Sequence, residues 1–373
     1  MRLALAVDAI APPLTGIGRY AWELASHYQT MRNEFDALRF FCSDRWVKDP
    51  ARLLISAAHA ASGRKSSFFL PRTARNWRRW WMGREMRGHV FHSPNYFLPE
   101  QVESGIVTVH DLSVFKYPET HPVERIRHFE RSFTSTLRRA THLITDSEAT
   151  RTEVIGYFGW PSERVTAIGL GVSDKFRLRD ASEAGAALRE HGLVHGGYSL
   201  CVSTLEPRKR IDRLLDAYRD IPMALRSCYP LVLAGSRGWL SDALQEQIVV
   251  GESEGWLKYL GFADEAFLPL LYSGARAFLF PSVYEGFGLP VLEAMASGVP
   301  TLTSNHSSLP EVANGAAWLV EPDDHDALRD GIGRVLCDNA WRISAVRRGL
   351  DVACGATWNQ CAKRTLDVCR RSA

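Results

Sequence analysis

No pair of cysteines in this sequence has the C-x-x-C spacing, and the seven present (Cys42, Cys201, Cys228, Cys337, Cys354, Cys361 and Cys369) are scattered and odd in number. A disulfide framework and a zinc ribbon are thereby excluded, and a reducing cytoplasm is the expected compartment. No stretch approaches the ~20 apolar residues of a membrane-spanning helix, and the apolar start at residues 1–7 meets Asp8 before a signal-peptide core can form. The chain is therefore expected to be neither exported nor inserted. There is no repeat of fixed period, no low-complexity tract, and a net charge of only +3 over 373 residues, which excludes solenoids and disordered polyelectrolytes.

What is present is ordinary globular composition, 46% hydrophobic and 23% charged, long enough at roughly 150 residues per domain for two domains. The charge is unevenly divided. Up to Leu170 there are 23 Lys and Arg against 17 Asp and Glu, and beyond it 22 against 25, giving +6 and −3. A basic first half points to an anionic partner such as a membrane surface, a phosphorylated lipid or a nucleic acid.

Short apolar or β-branched runs alternate with longer amphipathic ones, the pattern of parallel sheets covered by helices. In the first half, residues 2–7, 37–41, 89–92, 106–110, 142–145 and 164–168 read as strands, and 20–28, 125–139 and 148–158 as helices. Gly169-Leu-Gly-Val-Ser-Asp breaks the periodicity, so the expected domains are 1–170 and 171–357. The second set of strands is 198–202, 231–233, 257–260, 277–280 and 301–303. The helical pattern at 358–370 is expected to pack back on the first domain, carrying the C-terminal residues 358–373 with it.

The segment from Phe278 to Pro300 carries the most chemistry. A buried strand runs into a loop with Gly286 and Gly288, and Pro290 marks the first turn of a helix. Loop N–H groups and the positive helix end can then approach an anion. Glu285 precedes the helix and Glu293 lies about a turn inside it. Beside a phosphate these carboxylates suit sugar or ribose hydroxyls, although a glycine turn with a dipole-complementing glutamate gives the same pattern. Arg208 and Lys209 follow Pro207 beyond a strand, two cations at the carboxyl end of a parallel strand, where ligands of such sheets bind. They can stabilise the charge on a departing diphosphate. His110, with Asp111, ends a strand of the first half.

Glu285-Gly-Phe-Gly-Leu-Pro-Val-Leu-Glu293 resembles the Glu, seven residues, Glu motif of the retaining glycosyltransferases of family 4. The similarity extends to the Gly16-Ile-Gly-Arg-Tyr loop, to Val109-His-Asp-Leu, to Val202-Ser-Thr-Leu-Glu-Pro-Arg-Lys-Arg, to Gly261-Phe262 and to Ser304-Asn-His-Ser-Ser-Leu-Pro-Glu-Val, and so covers nearly the whole chain. It implies an α/β protein of the GT-B class, two Rossmann-like domains whose parallel sheets face across a cleft, the first binding acceptor and the second nucleotide sugar. It places Glu285 on the donor sugar, Glu293 on the ribose, His110 over the sugar, and Arg208 and Lys209 on the diphosphate. Gly16, Gly18, Thr204, Phe262, Gly286, Phe287, Gly288 and Leu289 complete the expected donor contacts. Many relatives have an arginine at the position of Thr204, which puts more of the diphosphate role on Arg208. The Glu-Pro-Arg-Lys and Val-His-Asp-Leu sequences are similar to those of bacterial mannosyl- and D-rhamnosyltransferases of O-antigen assembly. A GDP-linked hexose donor and a polyprenyl-diphosphate-linked or glycan acceptor are the implied partners, with a UDP sugar or a GT-B-shaped nucleotide-sugar epimerase as alternatives.

Two other motifs compete. Gly16-Ile-Gly-Arg-Tyr-Ala fits the dinucleotide pattern G-x-G-x-x-A with Asp36 as a ribose acid, but Ile10-Ala-Pro-Pro-Leu-Thr separates its glycines from the strand. Asp324-His-Asp326 fits a metal triplet, yet follows Pro322 at a helix start, where acids act as caps; no metal and no cofactor is expected. Residues 64–87 hold eight basic residues against the single acid Glu85, interleaved with Phe68, Phe69, Trp77, Trp80, Trp81, Met82 and Met86. Trp77, Trp80 and Trp81 share a helical face with Arg75, Arg78 and Arg79 beside it. This suits an anionic membrane surface as well as a helix packed on its own domain. With no nucleic-acid-binding module beside it, the expected location is cytoplasmic, peripheral on the inner face of the plasma membrane.

Overall fold

A computed structural model describes residues 1–14, 16–60, 72–238 and 242–372. Contacts divide the chain into two compact units: Met1–Leu112, Arg127–Gly171 and Trp358–Ala373 form one, and Ser113–Ile126 with Val172–Thr357 the other.

The first unit is built on β1 (Arg2–Ala6), β2 (Ala37–Cys42), β3 (Arg45–Val47), β4 (Val90–Ser93), β5 (Gly105–Val109), β6 (Ala140–Thr145) and β7 (Val165–Ala167), in the sheet order β3-β2-β1-β4-β5-β6-β7. All neighbours are parallel except β2 and β3, a hairpin in which Cys42 faces Arg45. Leu3, Leu5, Ile106, Val107 and Val109 are fully buried, as expected where helices cover both faces of a parallel sheet. The C-terminal helix Trp358–Arg371 packs within this unit against the helix Gly16–Thr30. Its Trp358 ring lies 6.4 Å from Tyr20, and Arg364 donates to the Ala167 carbonyl at 2.9 Å.

The second unit continues with β8 (Ser199–Val202), β9 (Leu231–Ala234), β10 (Leu257–Gly261), β11 (Ala277–Phe280), β12 (Thr301–Ser304) and β13 (Trp318–Val320), an all-parallel sheet in the order β10-β9-β8-β11-β12-β13. One face packs Tyr198, Leu200, Phe278, Phe280, Val291 and Met295; the other packs Cys201, Leu214, Leu233, Leu279, Leu302 and Ile332. In both sheets the winding reverses at one place, between β1 and β4 and between β8 and β11. In open α/β sheets the carboxyl ends of the strands beside such a reversal form the ligand crevice.

Three features differ from the sequence expectation. β3 and β13 are strands of three residues each, too short to show a pattern of their own, and the β2–β3 turn is made by Ser43 and Asp44 at φ of 48° and 62°. The segment Ser113–Ile126, expected in the first domain, belongs to the second unit. Its Tyr117 ring packs 5.1 Å from that of Tyr284, with Lys116 Nζ 5.2 Å from the same ring.

The basic, aromatic helix runs over Arg72–Met86. Met82 and Met86 face the core, whereas Trp77, Trp80 and Trp81 are 66%, 59% and 47% exposed. Trp77 and Trp81 stack at 5.9 Å. Arg78 donates to the Asp44 carbonyl at 2.9 Å, and Arg79 pairs with Glu100, so these two arginines are committed within the unit, not arrayed for a surface. Phe68, Phe69 and the side chain of Arg75 lie outside the described residues. Among the described residues no helix is long and apolar enough to cross a membrane.

Candidate active site

The reversal point of the second sheet gathers the expected charged residues. β8 leads through Ser203 and Thr204 into the short helical turn Pro207–Lys209, and β11 leads into the loop ending at Gly288. The two are tied by backbone. Val283 N–H donates to the Arg208 carbonyl at 3.0 Å, and Arg208 Nη1 donates to the Tyr284 carbonyl at 2.9 Å. Ser307 and Ser308 hold the loop from the other side. The Glu285 N–H donates to Ser307 Oγ at 3.2 Å, and the Ser307 hydroxyl returns a bond to the Glu285 carbonyl. The Ser308 hydroxyl is shared between the carbonyls of Glu285 at 2.9 Å and Phe287 at 2.7 Å.

Glu285 is thereby fixed among cations. Its Oε1 accepts from Lys209 Nζ, its Oε2 lies 3.4 Å from Arg208 Nη1, and Arg208 Nε reaches Glu206 at 3.1 Å. Glu206 and Glu285 are both less than a tenth exposed. Burial alone would raise the Glu285 carboxyl, but Lys209 and Arg208 outweigh it and hold it below the usual carboxylate range. Burial pushes the Lys209 ammonium down, and Arg208 adds to this while Glu285 opposes. Lys209 also lies 5.3 Å from the Phe280 ring. Two cations and two carboxylates thus form a compact, preorganised set in which charge-assisted bonds are strong. The sequence motif gives Glu285 to the sugar alone, whereas here it also aligns both cations.

Gly288 caps the helix Leu289–Ala296 at φ 113°, a conformation that L side chains rarely adopt, and a Cβ there would meet Leu309 at 2.7 Å. Gly286 is buried, and Phe287 and Leu289 are half-buried around the helix start. Glu293 is half-buried on this helix. The phenol of Tyr272 is held well above its usual value by burial and then by the Glu293 carboxylate. Thr204 is exposed just beyond β8, and Phe262 is 56% exposed just beyond β10. The second unit therefore brings together Arg208, Lys209, Glu285 and the Gly286–Leu289 loop, with Thr204, Phe262 and Glu293 on neighbouring elements of the same unit.

The remaining expected residues lie in the first unit. Gly16 opens the helix Gly16–Thr30, and a Cβ there would meet nothing within 4 Å; at Gly18 a Cβ would lie 2.8 Å from the Ala9 carbonyl oxygen, so this glycine serves close packing. His110 is buried, with Nδ1 at 2.7 Å from Asp146 Oδ2 and Nε2 at 2.8 Å from the Pro94 carbonyl. Both partners are acceptors, so the ring satisfies both only as an imidazolium. Burial pushes its pKa down, but Asp146 and the Pro94 carbonyl overcome this and raise it. Neighbouring His92 is driven the other way, to about 3, by burial and then by His110. With both nitrogens engaged, the His110 ring reaches a sugar only by giving up one of these bonds.

A stability prediction follows from the raised value. The His110 contribution is complete below its ordinary value of 6.5 and is lost as pH rises through the higher native value. The gap in Tm between wild type and His110→Gln should be widest below the ordinary value of 6.5 and shrink as pH rises above it. A gap that widens with pH contradicts the imidazolium assignment.

Asp324 caps the helix His325–Cys337 by accepting the Ala327 N–H at 3.0 Å, and Asp326 pairs with Arg329 at 2.8 Å. Sequence reasoning misses Ser307, Ser308, Tyr272 and Asp146. The serines stand inside a quoted motif, but nothing in it signals that their hydroxyls hold a loop some twenty residues earlier.

Residues 14–176 match the model of Glycosyltransferase Family 4, and residues 193–349 that of the Glycosyl transferases group 1. Over 378 aligned residues, covering 99% of both chains, the protein is 38% identical to O-antigen chain mannosyltransferase B of Escherichia coli. It is 32% identical to the serotype-specific mannosyltransferase WbdA of Escherichia coli, over 65% of this chain and 30% of that one. Among solved structures, WaaG, a glycosyltransferase involved in lipopolysaccharide biosynthesis, superposes with a TM-score of 0.73 at 16% identity, covering 98% of this chain and 99% of that one. With its two parallel sheets, its Glu285–Glu293 loop and helix, and a relative matched along the whole chain, the protein belongs to the family 4 glycosyltransferases of the GT-B fold.

Proposed function

We propose that this enzyme transfers a hexose, mannose before D-rhamnose, from a GDP-sugar to a lipid-linked glycan during O-antigen assembly, with retention at the anomeric carbon. The observation that carries this reading is the whole-length similarity to an O-antigen chain mannosyltransferase. The Lys209–Glu285–Arg208–Glu206 cluster, with both carboxylates buried, supports the chemistry. In the proposed reaction the second unit holds the donor. Arg208 and Lys209 offset the charge that grows on the diphosphate as the glycosidic bond breaks, and Glu285 orients the hexose. The acceptor, bound by the first unit, attacks on the face the nucleotide leaves. The departing phosphate oxygen takes the hydroxyl proton, so no protein base is required, and the enzyme supplies positioning and fixed charge.

This mechanism uses the two cations where other transferases use a divalent ion. Turnover should survive EDTA, and among GDP, UDP, ADP and dTDP, GDP should raise Tm most. A ligand at 100 times its Kd adds about 2.7 kcal/mol of stability. A larger shift with UDP would move the donor to a UDP-sugar, and EDTA loss restored by magnesium would overturn the metal-free step.

Association with the inner membrane face is part of the same proposal. It rests on the three exposed tryptophans, not on the committed arginines. Replacing Trp77, Trp80 and Trp81 together by serine should abolish sedimentation with anionic vesicles, because interfacial helices bind through buried aromatic and apolar area. Undiminished sedimentation would contradict it.

A further inference from the structure

The first sheet also has a reversal point, between β1 and β4, and a cavity of about 600 Å³ opens there, within the size range of ligand sites. Asp8 follows β1, the Ser43–Asp44 turn follows β2, and Pro94 and Asn95 follow β4, so three strand ends supply its floor. Phe97 and the helix Val123–Leu137, through Arg131 and Ser135, supply its walls.

The polar groups of this cavity fall into two sets. Arg139 is consumed by the carbonyls of Leu98, Pro99 and Val102 at 3.0, 2.8 and 2.6 Å. Arg79 is paired with Glu100 and lies 3.6 Å from Asp44, whose other oxygen accepts from Gln101 at 2.7 Å. The Asn95 amide and the Arg131 guanidinium, by contrast, make no side-chain hydrogen bond among the described residues. Asp8 uses one oxygen for Ser43, at 2.7 Å to its N–H and 3.3 Å to its hydroxyl, and its other oxygen has no partner among the described residues. Ser43 and Asp44 both sit at positive φ without being glycine, a local cost that persists where surrounding structure holds it, as Asp8, Arg78 and Gln101 do here. On the other side, the buried His110 bonds the carbonyl of Pro94, next to Asn95. The open set among the described residues is therefore the Asn95 amide, one Asp8 oxygen, the Arg131 guanidinium, the His128 imidazole and the hydroxyls of Ser132 and Ser135, beside the half-buried Phe97 ring, and Arg131 is its one arginine not already engaged.

We propose that this cavity binds the terminal hexose of the acceptor as a neutral glycan. Asp8 and Asn95 take its hydroxyls and Phe97 its C–H face, while the lipid diphosphate lies elsewhere. The proposal rests on the glycosyltransferase reading above and adds to it where, and by which groups, the acceptor is recognised. A diphosphate would need several uncompensated cations, whereas a sugar needs a carboxylate and an amide with free hydrogen-bonding capacity beside an apolar face.

The test uses the full-length enzyme with α-linked mannotriose as acceptor probe, read by saturation-transfer NMR without donor and by acceptor KM with GDP-mannose. Asn95→Ala and Asp8→Asn should each raise acceptor KM about tenfold. Ser135→Trp, an exposed helix position at the mouth, should block probe binding without disturbing the strand ends. In all three variants the GDP-induced rise in Tm should match wild type. Acceptor KM and probe binding within about twofold of wild type in Ser135→Trp and Asn95→Ala overturn the proposal, as does mannotriose that fails to bind the wild-type enzyme. So does loss of binding to a sugar-free polyprenyl diphosphate while mannotriose binding persists. If mannotriose binding is lost in Ser135→Trp but the wild type transfers nothing from GDP-mannose, the cavity assignment stands and the donor reading fails.

Discussion

Lys209→Ala should reduce turnover by about a hundredfold to a thousandfold and destabilise the protein at the same time. The two effects have one cause. Lys209, its side chain only 11% exposed, carries the closest charge contact to Glu285, so truncation removes a cation from the proposed diphosphate site and leaves a buried carboxylate short of its partner. Breaking a buried pair costs about 3–5 kcal/mol. The low end applies because Arg208 still lies 3.4 Å from Glu285. For a unit of this size that is a fall in Tm of about 10 °C. Adding Glu285→Gln to Lys209→Ala should restore most of the stability and none of the activity. Chemical denaturation and steady-state rates of the two single mutants and the double mutant form a complete cycle. Recovery of activity in the double mutant would show that Lys209 acts only by neutralising Glu285.

The two glutamates should fail in different ways. Glu285→Gln removes the anion beside Arg208 and Lys209, so affinity for the nucleotide diphosphate should hold or rise while kcat falls by about tenfold to a hundredfold, the worth of one charge-assisted hydrogen bond. Glu293, on the helix beyond Gly288, should act on the ribose, an interaction that changes little as the reaction proceeds. Glu293→Gln should therefore raise the donor KM about tenfold with kcat nearly unchanged. Exchange of the two signatures would reverse the assignment, and two silent mutants would remove this loop from the active site.

The opposing charges at 208, 209 and 285 are legible in the sequence because they stand at the ends of apolar runs that read as parallel strands. The Pro290 helix start is legible for a similar local reason, a proline in the first turn of a helix that follows an apolar strand and a glycine loop. What the sequence hides depends on side chains meeting across long separations. The motif assigns Glu285 to the sugar alone because no spacing rule links residue 285 to 209. The His110 imidazolium requires Asp146 and the Pro94 carbonyl, which reach it from β6 and β4 only through the sheet order. The β2–β3 hairpin is hidden because Ser-Asp takes the place of the Asn-Gly or Asp-Gly that such a turn favours. The arginines of the tryptophan helix look uniformly available on a helical wheel, yet Arg78 and Arg79 are held by Asp44 and Glu100.

In the proposed reaction this chain moves a hexose from a GDP-sugar with its anomeric configuration kept. Incubating the purified enzyme with GDP-α-mannose and a mannotriose acceptor, and following the anomeric proton of the new linkage by NMR during the first turnovers, tests it most directly. The account requires a new α-linked mannose, formed in the presence of EDTA and lost in Lys209→Ala. A β-linked product, or free mannose and GDP with no acceptor-bound sugar, would contradict it.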